Sequence, residues 1–276
     1  PIGKVDLIKT FEPQRARDFY YEWYRPELMA VIAIGDFEKK NIVSLIKENF
    51  SSLTNPTQGR PREVYSVPLT TKDSVHFVTD IEETTTLLRV LFNHKAKLFR
   101  TQRDFRDDVI LGMYLNLLNQ RLSEIALQKD PPFVVARIYD DQLTLKNTQY
   151  TLVFIPLNED LERGLQAILT EIERIRQHGF LNSELERIKD DYLSYYQKLY
   201  DNRDDQDSTF FLEDFIDRFV SKEAITSIVF DYELIKAILP TITTEDLKTI
   251  TDKWFLDEGR KVVVVAPEKN LDRLPT

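Results

Sequence analysis

The amino-acid sequence predicts an α+β fold in which helices cover one face of a largely antiparallel sheet. The elements predicted after residue 70 run β-β-α-β-β-α-α-α-α-α-β, so the strands come in blocks instead of alternating with helices. An internal repeat relates residues 11–37 to residues 242–268. A length of 276 residues accommodates about one and a half to two domains. We therefore predict a two-layer unit preceded by the C-terminal part of a second such domain.

The two copies of the repeat share one order of elements, a helix, a polar turn and a short apolar strand. Trp23 aligns with Trp254, an offset of 231 positions, and the run VIAI at 31–34 aligns with VVVV at 262–265. Solenoid repeats are only about 20–50 residues long, so the repeating unit is a whole domain. The alternative is an accidental match, because a helix followed by a strand is a common succession.

Two helices and one strand are predicted before residue 55. Pro13 suits the first turn of a helix, and Pro26 ends that helix because the residue before a proline disfavours helical dihedral angles. Residues 28–34 are continuously apolar and rich in branched side chains, which is typical of a strand covered on both faces. Residues 38–50 carry their apolar side chains on one face of a second helix.

The domain limits follow from a change in composition. Residues 51–68 contain three prolines, a glycine and several small polar residues, as linkers do. We predict the end of a first domain at 1–54, a linker at 55–70 and a complete second domain at 71–276. Because the chain opens at Pro1 without Met and shows no signal peptide, we expect that it was cut from a longer protein.

The second domain is predicted to hold two strand pairs, a series of helices and a final strand. The first two strands are expected to form an antiparallel pair, and the longest helix has the strongest helical periodicity. The predicted strands are 75–79, 87–93, 133–145, 150–157 and 262–265, and the predicted helices are 102–128, 161–178, 183–200, 208–220, 225–239 and one beginning near 243.

Capping residues mark several helix ends. Gly179 is expected to end the helix before it with a left-handed cap. Ser183 with Glu186, and Thr243 with Asp246, have the spacing of capping boxes.

The composition excludes several classes of function. The net charge is −9 and no Lys or Arg cluster is present in the sequence, which argues against a nucleic-acid surface. The absence of cysteine removes disulfides, thiol nucleophiles and Cys-based metal sites. No glycine-rich phosphate loop is present. No apolar run of about 18 residues occurs, so no membrane span is predicted.

The histidines do not form a metal motif. His76, His94 and His178 are never three to five residues apart, and both H-E-x-x-H and H-x-x-E-H are absent. A cross-strand site formed by His76, His94 and a carboxylate is one hypothesis. The alternative places His76 and His94 on strands without a metal, and His178 in the last turn of a helix, where a positive side chain favours the dipole.

Other candidate catalytic groups are also weak. No G-x-S-x-G elbow is present, and the Asp-rich segments 104–108 and 201–207 are typical of solvated surfaces. The tyrosine-rich stripe at 192–200 could contact a peptide, although such stripes more often lie in a core or at a domain contact. Arg121 and Glu124 have the spacing of a surface ion pair on one helix.

One segment carries a resemblance to a known family. Residues 19–37, FYYEWYRPELMAVIAIGDF, resemble the end of the catalytic domain in the pitrilysin family of zinc metallopeptidases, which includes insulin-degrading enzyme and the mitochondrial processing peptidase. Residues 118–124 and 130–133 are similar to the second domain of the large bacterial members. The family motif, for which a structural role is expected, consists of Tyr24, Arg25, Pro26, Gly35 and Asp36.

The resemblance implies a fragment of a zinc peptidase that closes a chamber around a peptide or protein substrate. The family holds zinc in an H-x-x-E-H motif upstream of the matched segment, so no catalytic residue and no zinc ligand is expected here. Residues 1–54 would end a catalytic-type domain, and residues 71–276 would form a non-catalytic homologous domain of the chamber wall. Arg121 is the candidate chamber-facing residue.

The expected partners are the substrate and the missing homologous domains, without nucleic acid or a membrane span. The bacterial relatives imply the periplasm or cell envelope. The alternative is a non-enzymatic scaffold or assembly protein on the same fold.

Overall fold

A computed structural model describes residues 3–256 and 258–274, so the predicted domain limits at 1 and 276 lie outside the described residues. The chain divides into two compact units. One unit comprises the residues up to Glu63 together with Gln206–Lys222, and the other comprises Val64–Asp205 and the residues from Glu223 onward.

The described residues form helices and strands with the following bounds. The helices are α1 (Val5–Thr10), α2 (Pro13–Trp23), α3 (Lys39–Phe50), α4 (Gln102–Ala126), α5 (Leu161–His178), α6 (Asn182–Asp201), α7 (Ser208–Ser221), α8 (Ile228–Ile238) and α9 (Thr244–Trp254). The strands are β1 (Ser74–Asp80), β2 (Leu87–Lys95), β3 (Phe133–Thr144), β4 (Asn147–Pro156) and β5 (Lys261–Pro267). No helix among the described residues is long and apolar enough to cross a membrane.

The first unit is helical in its described part. Its helices are α1, α2, α3 and α7. The strand predicted at 28–34 is wrong, because Leu28 ends a short 3₁₀ turn and residues 29–34 make no ladder. A strand needs a neighbour to take up its backbone hydrogen bonds, and the described residues of this unit include no strand.

The helices of the repeat have matching limits. The bounds of α2 and α9 differ by the same 231 positions that the sequence alignment requires. Tyr24 ends α2 with φ −87° and ψ 74°, and Phe255 ends α9 with φ −95° and ψ 75°. A basic side chain lies over each tryptophan, Arg60 over Trp23 at 5.4 Å and Lys97 over Trp254 at 5.7 Å. The two copies differ in burial, since Tyr24 is 58% exposed and Phe255 only 6%, and in the segment that follows, where β5 is a paired strand.

The second unit is built on one mixed sheet with the strand order β1-β5-β2-β4-β3. β3 and β4 form the expected antiparallel pair, β4 pairs antiparallel with β2, and β2 pairs antiparallel with β5. The predicted hairpin of β1 and β2 is wrong, because β5 lies between them and pairs parallel with β1. The α+β class with a largely antiparallel sheet is confirmed.

The core lies between one face of this sheet and the helices. Side chains alternate along each strand, and the central strands place almost fully buried residues on the inward face, namely Val90, Leu152, Phe154 and Val264. α4 lies against β3, α5 lies against β4, and α9 contacts both helices. The other face of the sheet has no helix layer within the described residues of this unit.

The helix caps show where local patterns were correct. Thr243 and Asp246 form the predicted capping box, while the box predicted for Ser183 and Glu186 is wrong. α6 begins earlier, and the Glu184 carboxylate accepts from the Leu181 N–H at 2.7 Å.

Candidate functional site

Arg121, the candidate chamber-facing residue, lies where three helices meet. Its Nη1 donates to Glu171 on α5 at 2.8 Å, and its Nε and Nη2 donate to Glu184 on α6 at 2.9 and 2.8 Å. The guanidinium lies 4.8 Å from the ring centre of Phe180, and the Arg121 side chain is 17% exposed. Its partners are therefore residues from other helices and not Glu124, the expected surface partner.

The charges in this cluster stabilise one another. Burial alone would raise the pKa of Glu184, but hydrogen bonds from Arg121 and from the Leu181 N–H outweigh it and lower that pKa. Hydrogen bonds to Glu184 raise the pKa of Arg121 above its already high value. Glu171, which is only 4% exposed, also pairs with Arg174 at 2.9 Å. Arg121 thus joins α4 to α5 and α6, and its role toward a chamber stays a prediction.

The histidines are not brought together. β5 separates the strand that carries His76 from the strand that carries His94. The exposed ring of His76 is 3.1 Å from the Ser74 hydroxyl, and His178 lies in the last turn of α5, as predicted. Across residues 3–256 and 258–274, no group of three His, Cys, Asp or Glu side chains is arranged to hold a metal ion.

His94 belongs to an aromatic cluster at the end of α9. Its ring lies 4.7 Å from Trp254 and 5.3 Å from Tyr150, and Nε2 donates to the Trp254 carbonyl oxygen at 3.2 Å. Burial lowers the pKa of His94, and the bond to the carbonyl offsets this in part. The imidazole therefore joins β2 to the end of the helix.

The family-motif residues hold the end of α2. Arg25 is only 4% exposed, forms an ion pair with Glu27 at 2.6 Å and donates to the Glu22 carbonyl at 3.1 Å and to the Arg60 carbonyl. The Tyr24 N–H donates to the Tyr20 carbonyl at 2.9 Å.

The rest of the motif lies in turns. Pro26 opens the 3₁₀ turn, and Gly35 and Asp36 lie in a bend.

The uncovered face of the sheet, here called the open face, carries residues that sequence reasoning missed. The register places one residue from every strand in a single row, in the order His76, Val263, Arg89, Val153 and Arg137. His76, Arg89 and Arg137 are exposed, and we call them the basic row. The alternation of exposed Arg89 with buried Leu88 and Val90 was the available signal.

Apolar and polar rows flank the basic row. The apolar row lies on one side. In it Val265 pairs with Val78 and with Leu87, and Ile155 pairs with Val135. The other side has Ser74, Lys261, Leu91, Thr151 and Tyr139 in register. The acidic residues on this face are in the end regions of edge strands, Asp80 in β1 and Asp141 in β3.

Comparison with known proteins decides the family. A family model described as the peptidase M16 inactive domain matches residues 10–192, about two thirds of the chain. The chain belongs to this peptidase family. The predicted pitrilysin-type resemblance is thereby confirmed.

The relatives are zinc proteases of greater length. The chain is 27% identical over 271 residues to a zinc protease PQQL-like protein of Arabidopsis thaliana, covering 97% of this chain and 25% of that protein. It is 25% identical over 268 residues to a probable zinc protease PqqL of Haemophilus influenzae, covering 97% and 29% respectively. The chain therefore spans less than a third of these relatives.

Solved structures share the fold. The periplasmic protease PqqL of Escherichia coli is 20% identical with a TM-score of 0.88, covering 99% of this chain and 30% of that one. The ferredoxin protease FusC, solved in complex with Arabidopsis ferredoxin, is 16% identical with a TM-score of 0.81, covering 100% and 31% respectively.

Proposed function

We propose that this chain forms part of the chamber wall of a larger zinc metallopeptidase and that another domain supplies the zinc and the catalytic groups. The observation that carries this proposal is the match to an inactive peptidase domain over residues 10–192. Two longer relatives named as zinc proteases support it, and the chain covers 25% and 29% of their lengths.

The described residues do not fit a zinc site. His94 is bound to the Trp254 carbonyl, and Glu171 and Glu184 are bound to Arg121. A catalytic zinc takes three protein ligands that converge on one point, and these groups belong to separate contacts between elements. We derive no catalytic step through zinc for this chain.

The proposed domain layout keeps the predicted limits of 1–54, 55–70 and 71–276. The first unit exposes large apolar side chains, such as Tyr21 at 74%, Phe19 at 59% and Val31 at 48%. An apolar surface of this kind marks an interaction site. We infer that the remaining part of a catalytic-type domain covers this surface.

We assign the open face to the chamber. Helices cover the opposite face of the sheet, and the residues of the open face include exposed polar groups and partly buried apolar groups. An extended peptide finds both kinds of contact on such a surface. The proposed partners are a peptide or protein substrate and the other homologous domains. The structural similarity to the periplasmic protease PqqL of E. coli supports a periplasmic parent.

The experiment measures cleavage by the purified chain. Fluorogenic peptides are incubated with the chain and added zinc, with and without a chelator, and the parent protein is the positive control. We expect turnover by the parent alone. Chelator-sensitive cleavage by the chain itself would overturn the proposal, and a parent sequence without H-x-x-E-H would favour the non-enzymatic scaffold instead.

A further inference from the structure

The basic row is the most distinctive chemistry of the open face. Arg89 and Arg137 both lie beside Val153, on opposite sides of it, and His76 and Arg89 both lie beside Val263. Neighbouring strands are about 4.8 Å apart, so successive members of the row are about 10 Å apart at the backbone. Folding thus lines up residues that are far apart in sequence.

The arginines of this row are available to a ligand. Arg89 and Arg137 are both exposed. Within the described parts of the chain, neither forms an ion pair or a hydrogen bond through its side chain. By contrast, Arg25, Arg106 and Arg121 are held by carboxylates.

The charge of the open face is opposite to that of the chain. The chain carries a net charge of −9, yet the centre of this face presents two arginines and a histidine, with Lys261 in the adjacent row. A local field of one sign raises the concentration of ligands of the other sign. An exposed arginine binds a carboxylate through paired N–H donors.

Resting on the chamber-wall function proposed above, we propose that the basic row binds acidic stretches of the peptide in the chamber. Carboxylates about 10 Å apart match residues i and i+3 of a peptide in the polyproline II conformation, which has three residues per turn and advances about 3.1 Å per residue, so both side chains lie on one face. The apolar row with Val265 and Leu87 contacts the aliphatic side chains between them. The open face therefore selects substrates with Asp or Glu at such spacing.

The experiment compares peptides of different charge. Three fluorescein-labelled peptides of equal length carry Glu, Lys or Gln at the same spaced positions, and their binding to the 276-residue chain is followed by fluorescence anisotropy. The test variant is R89Q/R137Q. The matched control is R17Q/R103Q, which removes the same charge at two exposed arginines outside the sheet. Circular dichroism checks that both variants remain folded.

The expected result is selective binding of the Glu peptide. Each exposed arginine–carboxylate pair contributes up to about fivefold, so R89Q/R137Q weakens that binding about tenfold while the control changes it less than about twofold. Binding to the unsubstituted chain weakens as salt is added. Equal binding of the three peptides, or equal losses in both variants, would overturn this inference alone. No binding of any peptide would overturn the chamber-wall proposal with it.

Discussion

Replacing Arg121 by methionine tests whether this residue supports the helices or faces the chamber. Methionine keeps much of the side-chain length and removes the charge that holds Glu171 and Glu184. Removing one partner of a buried ion pair costs about 3–5 kcal/mol, because the other charge is left without compensation. Glu171 keeps its pair with Arg174 at 2.9 Å, so we expect the lower end, about 3 kcal/mol.

The assay is urea unfolding followed by circular dichroism. With a slope of about 3 kcal/mol per M, the unfolding midpoint of R121M falls by about 1 M. The matched control is R106M on the same helix, which removes a pair with Asp246 at 3.0 Å in which both side chains are 28–29% exposed. That pair is closer to the surface, and its loss costs about 1 kcal/mol.

The pH dependence of R121M adds a second measurement. The pKa of Glu184 is lowered in the folded chain. The ionised Glu184 therefore contributes fully to the free energy of unfolding above the unfolded pKa of about 4.3, and this contribution is lost as the pH falls through the folded pKa. The stability difference between the original chain and R121M therefore shrinks in acid. A stability loss in R121M no larger than in R106M, together with weaker peptide binding, would refute the supporting role and favour a chamber contact.

Two further predictions concern packing and pH. G164A destabilises the second unit by about 1–3 kcal/mol, because the new Cβ would collide with the fully buried ring of Phe154. G112A, whose new Cβ would meet only the terminal hydroxyl of Tyr192, destabilises the unit less, and equal urea midpoints for the two variants would contradict this reasoning. Burial lowers the pKa of His94, so the unfolded chain binds more protons and the free energy of unfolding falls as the pH drops below about 6.5, by at most about 1.4 kcal/mol per pH unit. H94F lacks that decrease. If urea unfolding at several pH values gave the same change in the free energy of unfolding with pH for H94F and the original chain, the prediction would be disproved.

Local patterns predicted most of the elements. The helix at 102–126, the strand pair at 133–156 and the capping box at Thr243 depend on residues close in sequence. The order of strands depends on distant segments, and for that reason the hairpin of β1 and β2 was wrong. No local signal places β5 between two strands that are neighbours in sequence.

The site residues show the same division. The Trp23 segment indicated the family because its motif is contiguous. The partners of Arg121 lie 50 and 63 positions away, so helical spacing pointed to Glu124 instead. The basic row was missed because its register could be read only after the strand order was known.

The position of β5 affects how the protein is made. Among the strands of the described residues, β1 pairs only with β5. Arg260, just before β5, donates from its backbone N–H to Asp73, just before β1, across 187 positions. At about 5–20 residues per second, a ribosome needs about 10–40 s to add that length. During this interval β1 has no strand to join, and its backbone and apolar side chains are open to aggregation or to a chaperone. The sheet can therefore reach its final order only after the last strand has left the exit tunnel.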